Sequence, residues 1–225
     1  MSIAEKLITV AENQQRVYDA GKQAEYDRFW DAAQDKGNRT DYTMAFCGFM
    51  WDMDNFKPKY DMRPSNAQMM FSMNFCSGSL PQLLDRAGVV LDFSNCTVLT
   101  QCFAAAQFTE LGVIDVRKAS NIQNTFANMT KLQKIEKLIV SSALTYSNAF
   151  TNCPALEEIT IEGTIGQTGL NLSKSTNLTH DSLMSIINAL QSGATSKTLT
   201  LGTTNLAKLS NEEKAIATQK GWTLA

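Results

Sequence analysis

The feature that most constrains this chain is a repeat. Phe103, Phe126 and Phe150 recur at a nearly constant step, the second interval exceeding the first by a single position. Other columns keep the same register to within a residue: Leu91, Ile114 and Leu138; Phe93, Val116 and Val140; Cys96, Ala119 and Ala143; Leu99, Ile122 and Tyr146; Phe108, Leu132 and Leu156. A fixed period of this length marks stacked units, none of which covers its own apolar face alone. Leu91 and Phe93, Ile114 and Val116, and Leu138 and Val140 flank Asp92, Asp115 and Ile139. That period-two pattern predicts one short strand per unit with one buried side, the strands stacking in parallel. The small Cys96, Ala119 and Ala143 suit a tight bend after each strand, and the Phe column plugs the interior from the opposite wall.

The period lies in the range of leucine-rich repeats. Phe46 and Phe71, separated by nearly the same step, extend the column upstream as degenerate units, and the stretch holding Leu80, Pro81, Leu83 and Leu84 is an insertion read as a helix or turn. Downstream, Leu172 follows Val140 at a longer interval and Ser175 keeps the offset of Ala143, which suggests one further unit carrying an insertion. Gly163, Gly166 and Gly169 match no phosphate-binding pattern and are read as turn residues. Leu183, Ile186, Ile187 and Leu190 mark one face of an amphipathic helix, and 198–201 alternates like a strand. Ser210 with Glu213 is a capping-box signature for a last helix, and Gly221, Trp222 and Leu224 close the chain as a terminating glycine and short strand.

Residues 2–34 lack proline, are rich in Ala, Glu, Gln and Lys, and read as one long helix. Ile3, Leu7, Val10, Gln14, Val17, Gly21 and Ala24 alternate steps of four and three, the seam of a coiled coil and a candidate homo-oligomer contact. Packing on the chain's own body through Phe29, Trp30 and Ala33 is the alternative. The polar cluster Gly37 to Asp41 ends the helix. Three parts follow: a helix over 1–37, a repeat region over 38–178 and a helical and strand cap over 179–225.

The run from Ala149 to Ile161, AFTNCPALEEITI, resembles the core of BspA-like leucine-rich repeats, and Thr125 to Leu132 follows the same frame with Met129 in place of the cysteine. Cys102 and Phe103 open a more divergent copy. More widely, Phe29-Trp30-Asp31, Gly37-Asn38-Arg39-Thr40 and Lys220-Gly221-Trp222 resemble gut-bacterial and phage-encoded repeat proteins. The resemblance implies an α/β repeat fold, a short solenoid of stacked parallel strands, together with adhesion to proteins, glycans or host cells; some such proteins sit among phage tail genes. No export signal precedes the repeats, which favours a virion or prophage setting, or release by a non-classical route, over bacterial surface display.

A hydrophobic share of 44% against 19% charged residues suits a sizeable core. A net charge of −2 gives no footprint for nucleic acid, and no apolar run approaches the ~18 residues of a membrane span. Five cysteines without a C-x-x-C pair fit neither a zinc site nor a disulfide framework. No metal or cofactor is expected. His180, the one histidine, stands in Leu178-Thr179-His180-Asp181-Ser182, where neighbouring side chains diverge instead of converging as a triad must, so helix capping is the better account. Asp52 with Asp54, or Asp92 with Asp115, could supply the carboxylate pair of a glycosidase. Seven methionines fall within residues 44–73, read as a flexible binding surface or as core filling. The expectation is therefore a non-enzymatic module binding a protein or glycan through its outward strand face, Asp92, Asp115, Arg117, Ile139, Thr160 and Glu162; the alternative is an architectural spacer assembled through the N-terminal helix.

Overall fold

The phenylalanine column is a column of rings in space. Phe46, Phe71, Phe103, Phe126 and Phe150 follow one another with centroids 5.2, 5.4, 6.0 and 4.9 Å apart. All five are buried, and the three later contacts are stacked. Such pairs contribute about 0.5–1.5 kcal/mol each beyond burial. The computed structural model describes residues 21, 23–25, 27–48 and 56–225. Over these the chain is α/β, with a four-stranded parallel sheet and few helices.

The backbone around each of these rings repeats as well. The residues two before and two after each Phe have left-handed φ: Met44 and Gly48, Met69 and Met73, Gln101 and Ala105, Asn124 and Asn128, Asn148 and Asn152. Alternate N–H groups of one turn donate to carbonyls of the next. Gln101, Phe103 and Ala105 donate to Gln123, Thr125 and Ala127; Asn124, Phe126 and Asn128 donate to Ser147, Ala149 and Thr151. Met44, Phe46 and Gly48 are tied to the following turn in the same way, as are Met69, Phe71 and Met73. Asparagine tolerates this conformation because its short side chain bonds locally, and here the Asn152 amide donates to Asn128 Oδ1 at 3.1 Å. Inside, donors one unit apart satisfy carbonyls that stacking buries: Cys153 Sγ to Phe126 O at 3.0 Å, Ser175 Oγ to Cys153 O at 3.0 Å, and Asn205 Nδ2 to Ser175 O at 3.1 Å.

Opposite this wall lies the sheet, in the order β1 (Gly78–Ser79), β2 (Phe108–Asp115), β3 (Lys134–Val140) and β4 (Glu158–Gly163). The strands begin earlier than the alternation predicts, and Leu91 and Phe93 lie outside them, Leu91 making only a single bridge to Met62. Strict alternation is broken because Leu111 and Ile114, and likewise Ile135 and Leu138, are buried three residues apart. The two residues between Ile135 and Leu138 bulge against β4, where the register shifts. A one-residue insertion after β3 also moves the bend: Leu144 is buried there, while Ala143 is exposed.

The longer interval between Phe71 and Phe103 holds helix α2 (Leu80–Ala87), capped by Ser79 and ended by a left-handed Gly88. Upstream, residues 27–34 form helix α1, and Trp30 packs on Phe46 and Phe56 at 5.1 and 5.3 Å. Gln34 is fully buried; its side chain bonds the Tyr60 carbonyl and the Lys59 N–H, as a paired strand would. Packing on the body through Trp30 and Ala33 is therefore what the described part of this helix does. Gly21 and Ala24 are exposed, and Ile3, Leu7, Val10, Gln14 and Val17 lie outside the described residues.

Downstream, Ser175 and Thr179 bond to Cys153 and Glu157, which puts Leu172 in register with Phe150 and not with Val140. Helix α3 (His180–Asn188) then runs beside β4, with Leu183, Ile186 and Ile187 buried. Its Ser182 and Ser185 hydroxyls accept the Ile159 and Ile161 N–H groups at 2.9 and 2.8 Å, so side chains take the edge donors that a fifth strand would otherwise pair. A two-stranded sheet, β5 (Lys197–Leu199) and β6 (Trp222–Leu224), with α4 (Thr203–Leu206) and α5 (Asn211–Gln219), completes the chain. The Ser210 and Glu213 capping box is formed. Gly163 and Gly166 prove to be points of close approach: a Cβ there would meet Val140 O at 2.1 Å and Ser142 O at 2.2 Å. Among the described residues no helix is long and apolar enough to cross a membrane.

Candidate binding surface

The outward side of β2 to β4 is built from residues that the parallel register sets side by side. Glu110, Lys134 and Glu158 form one row; Val113 pairs with Lys137; Asp115, Ile139 and Glu162 form another. Lys134 meets Glu158 at 3.1 Å and Lys137 meets Glu162 at 2.8 Å, and these carboxylates raise both lysine pKa values. Exposed pairs of this kind contribute little stability, about 0–1 kcal/mol, so they are available to a partner at small cost.

Of the residues expected on this face, Thr160 and Glu162 are exposed on β4, and Ile139 is half-buried between Asp115 and Glu162. Arg117 is exposed just beyond β2. Asp115 is a correction: only 7% of it is accessible. The chain turns after β2, and the carboxylate folds back to accept the Arg117 backbone N–H at 3.1 Å and its guanidinium at 2.7 Å. Those bonds from Arg117 hold the Asp115 carboxyl below its ordinary pKa. Asp92 lies outside the sheet, half-buried, its Oδ1 accepting the Ser94 N–H at 2.8 Å. Sequence reasoning missed Glu110, Val113, Lys134, Glu136, Lys137 and Glu158, because it started the strands too late. The recurrence of Glu110, Lys134 and Glu158 at the period of the repeat was the signal that could have found them.

A glycosidase acid needs a raised pKa, whereas Asp115 is held low. Ser182 is buried, bonded to Glu157, Ile159 and Thr179, while His180 Nε2 faces Glu213 Oε1 at 2.8 Å on α5. The Thr179 hydroxyl caps α3 instead. Asp52 and Asp54 lie outside the described residues. Burial pushes the Cys96 and Cys153 thiols up to about 11 and about 12, far from reactive thiolates. Among the described residues no His, Cys, Asp and Glu side chains cluster as metal ligands.

Two further features stand out at the surface. Met62 and Met70 fill the core, whereas Met44 and Met73 are 53% and 49% exposed on the turn wall; Met50 and Met53 lie outside the described residues. Beside α2, a groove of about 230 Å³ opens between that helix and β2, with Pro81, Leu84, Val90 and Val113 along it. The chain matches no protein-family model, no curated protein and no solved structure.

Proposed function

We propose that the chain is a short leucine-rich-repeat solenoid of the BspA-like kind, a non-enzymatic binding module that presents the outward side of β2 to β4 to a protein or glycan partner. A phage tail or prophage setting, with adhesion to a host or cell surface, suits the resemblance of its repeats and flanking motifs. Supporting the repeat reading, side chains of one unit bond to the unit before it both inside and on the turn wall. The observation that carries the binding reading is the sheet face itself, where Lys137, Thr160 and Glu162 stand on adjoining strands without a buried role. Stacked units offer such faces as extended recognition surfaces.

Fluorescently labelled protein, applied to a glycan array and to intact bacterial cells, tests this. Binding should fall at least about tenfold on joint Lys137→Glu, Thr160→Glu and Glu162→Lys substitution, with an unchanged Tm, because each side chain is at the rim of solvent. Retained binding would clear this face of the role.

A further inference from the structure

We propose that the groove between α2 and the outward side of β2 is a docking site for a peptide segment of a partner protein that carries an apolar side chain flanked by lysine or arginine. This rests on the surface-binding reading above and narrows its partner from protein or glycan to a basic, apolar peptide.

The groove has an apolar floor where the sheet is otherwise charged. Val90 and Val113, 52% and 45% exposed, are among the few large apolar side chains of the described residues left open to solvent, and Pro81 and Leu84 continue the surface between them. Val113 pairs in register with Lys137, so the charged row gives way to an apolar residue as it reaches the helix. Gly112 lets α2 sit close against β2 at the base of the groove: a Cβ there would stand 3.1 Å from Pro81 Cγ, which would have to give by a few tenths of an ångström.

The groove's charge is of one sign. Its charged lining residues are Asp85 and Glu136. The lysines near Glu136 make their salt bridges with other carboxylates, Lys134 with Glu158 and Lys137 with Glu162, and feel Glu136 as a weaker, secondary charge. Asp85 sits in the last turn of α2, where the helix's carbonyl ends disfavour an anion. Two carboxylates beside an apolar floor, one of them placed against the local field, are the complement of a cation next to an aliphatic side chain. A groove of about 230 Å³ is large enough for one side chain of leucine size.

The test is an amide-shift titration of the ¹⁵N-labelled full chain with three acetylated pentapeptides: Gly-Lys-Leu-Lys-Gly, Gly-Glu-Leu-Glu-Gly and Gly-Lys-Ser-Lys-Gly. The first should move the amides of Val90, Gly112 and Val113. The other two should bind more weakly. Joint Asp85→Lys and Glu136→Lys substitution, both at exposed positions, should weaken the first peptide about tenfold while leaving the spectrum folded. Equal response to the acidic peptide, an undiminished response in the double variant, or no response at these amides would overturn the groove. Shifts confined to Thr160 and Glu162 would overturn it while leaving the sheet-face reading standing; that reading falls on its own cell and glycan experiment.

Discussion

The first turns of the wall and the last ones share a backbone but not a chemistry. Around Phe46 and Phe71 the left-handed positions are held by Met44, Met69, Met73 and Gly48; around Phe126 and Phe150 all four are asparagines. The turns around Phe46, Phe71 and Phe126 make the same alternate bonds to the turn that follows, so stacking dictates the conformation and the side chain only adapts to it. Asparagine does so at low cost and bridges its neighbour. Methionine suffers the Cβ clash of a left-handed backbone and leaves Met44 and Met73 half in water. The early turns thus give up stability that the late ones keep, and they expose thioethers on the outer wall.

The strongest way to break this comparison is through what the two regions share. Phe126→Ala in the middle of the ring column should cost about 3–5 kcal/mol, and Phe71→Ala should cost a similar amount, measured by urea unfolding. A much smaller loss at Phe71 would mean that the early units do not stack as the late ones do. Next in size is the conformational test. Asn128→Val should destabilise by about 1–2 kcal/mol, since a β-branched residue cannot easily adopt φ near +61°. Conversely, Met73→Asn should raise stability by about 1 kcal/mol. If both changes are neutral, the left-handed turns are not what separates the two regions.

Each region also buries a tyrosine hydroxyl without a hydrogen-bond partner among the described residues: Tyr42 early and Tyr146 late. Burial raises both pKa values. Removing an unsatisfied buried hydroxyl should be stabilising, so Tyr146→Phe is expected to add up to about 1 kcal/mol, read from urea unfolding. Tyr42→Phe should gain a similar amount, because its contact with the Arg39 guanidinium, at 5.4 Å, is made by the ring and survives the change. A loss on either change would show that the hydroxyl has a partner.

The smallest expected effect concerns acid. The Asp115 pKa is depressed by its bonds from Arg117. Its stabilisation is therefore full above the unfolded value near ~3.9 and is lost as pH falls through the lower folded value. Asp115→Asn should flatten the decline of Tm in that window and leave the neutral-pH shape of the curve unchanged; an identical acid slope in the variant would remove Asp115 from the account.

The interior of the molecule was legible from the sequence because Phe103, Phe126 and Phe150 recur at nearly constant spacing, and that column in the letters became a series of ring contacts in space. The wall was not legible. Left-handed positions announce themselves where asparagine or glycine fills them, and Met44, Met69 and Met73 conceal them. The sheet face was half legible, for two local reasons. A bulge between Ile135 and Leu138 breaks the alternation on which strand limits were judged, and Asp115 turns back onto Arg117 where a regular strand would point it outward. The groove had no signal at all, since its lining comes from α2, β2 and residues 89–91, which only the packing of α2 against Gly112 brings together.

The serines of α3 have a consequence for how the protein behaves in company. A parallel sheet with a bare last strand is a seed on which other chains can add, and a concentrated repeat protein is especially exposed to that fate. Because Ser182 and Ser185 occupy the outer donors of β4, an incoming strand would find the Ile159 and Ile161 N–H groups already paired, which disfavours addition at that edge.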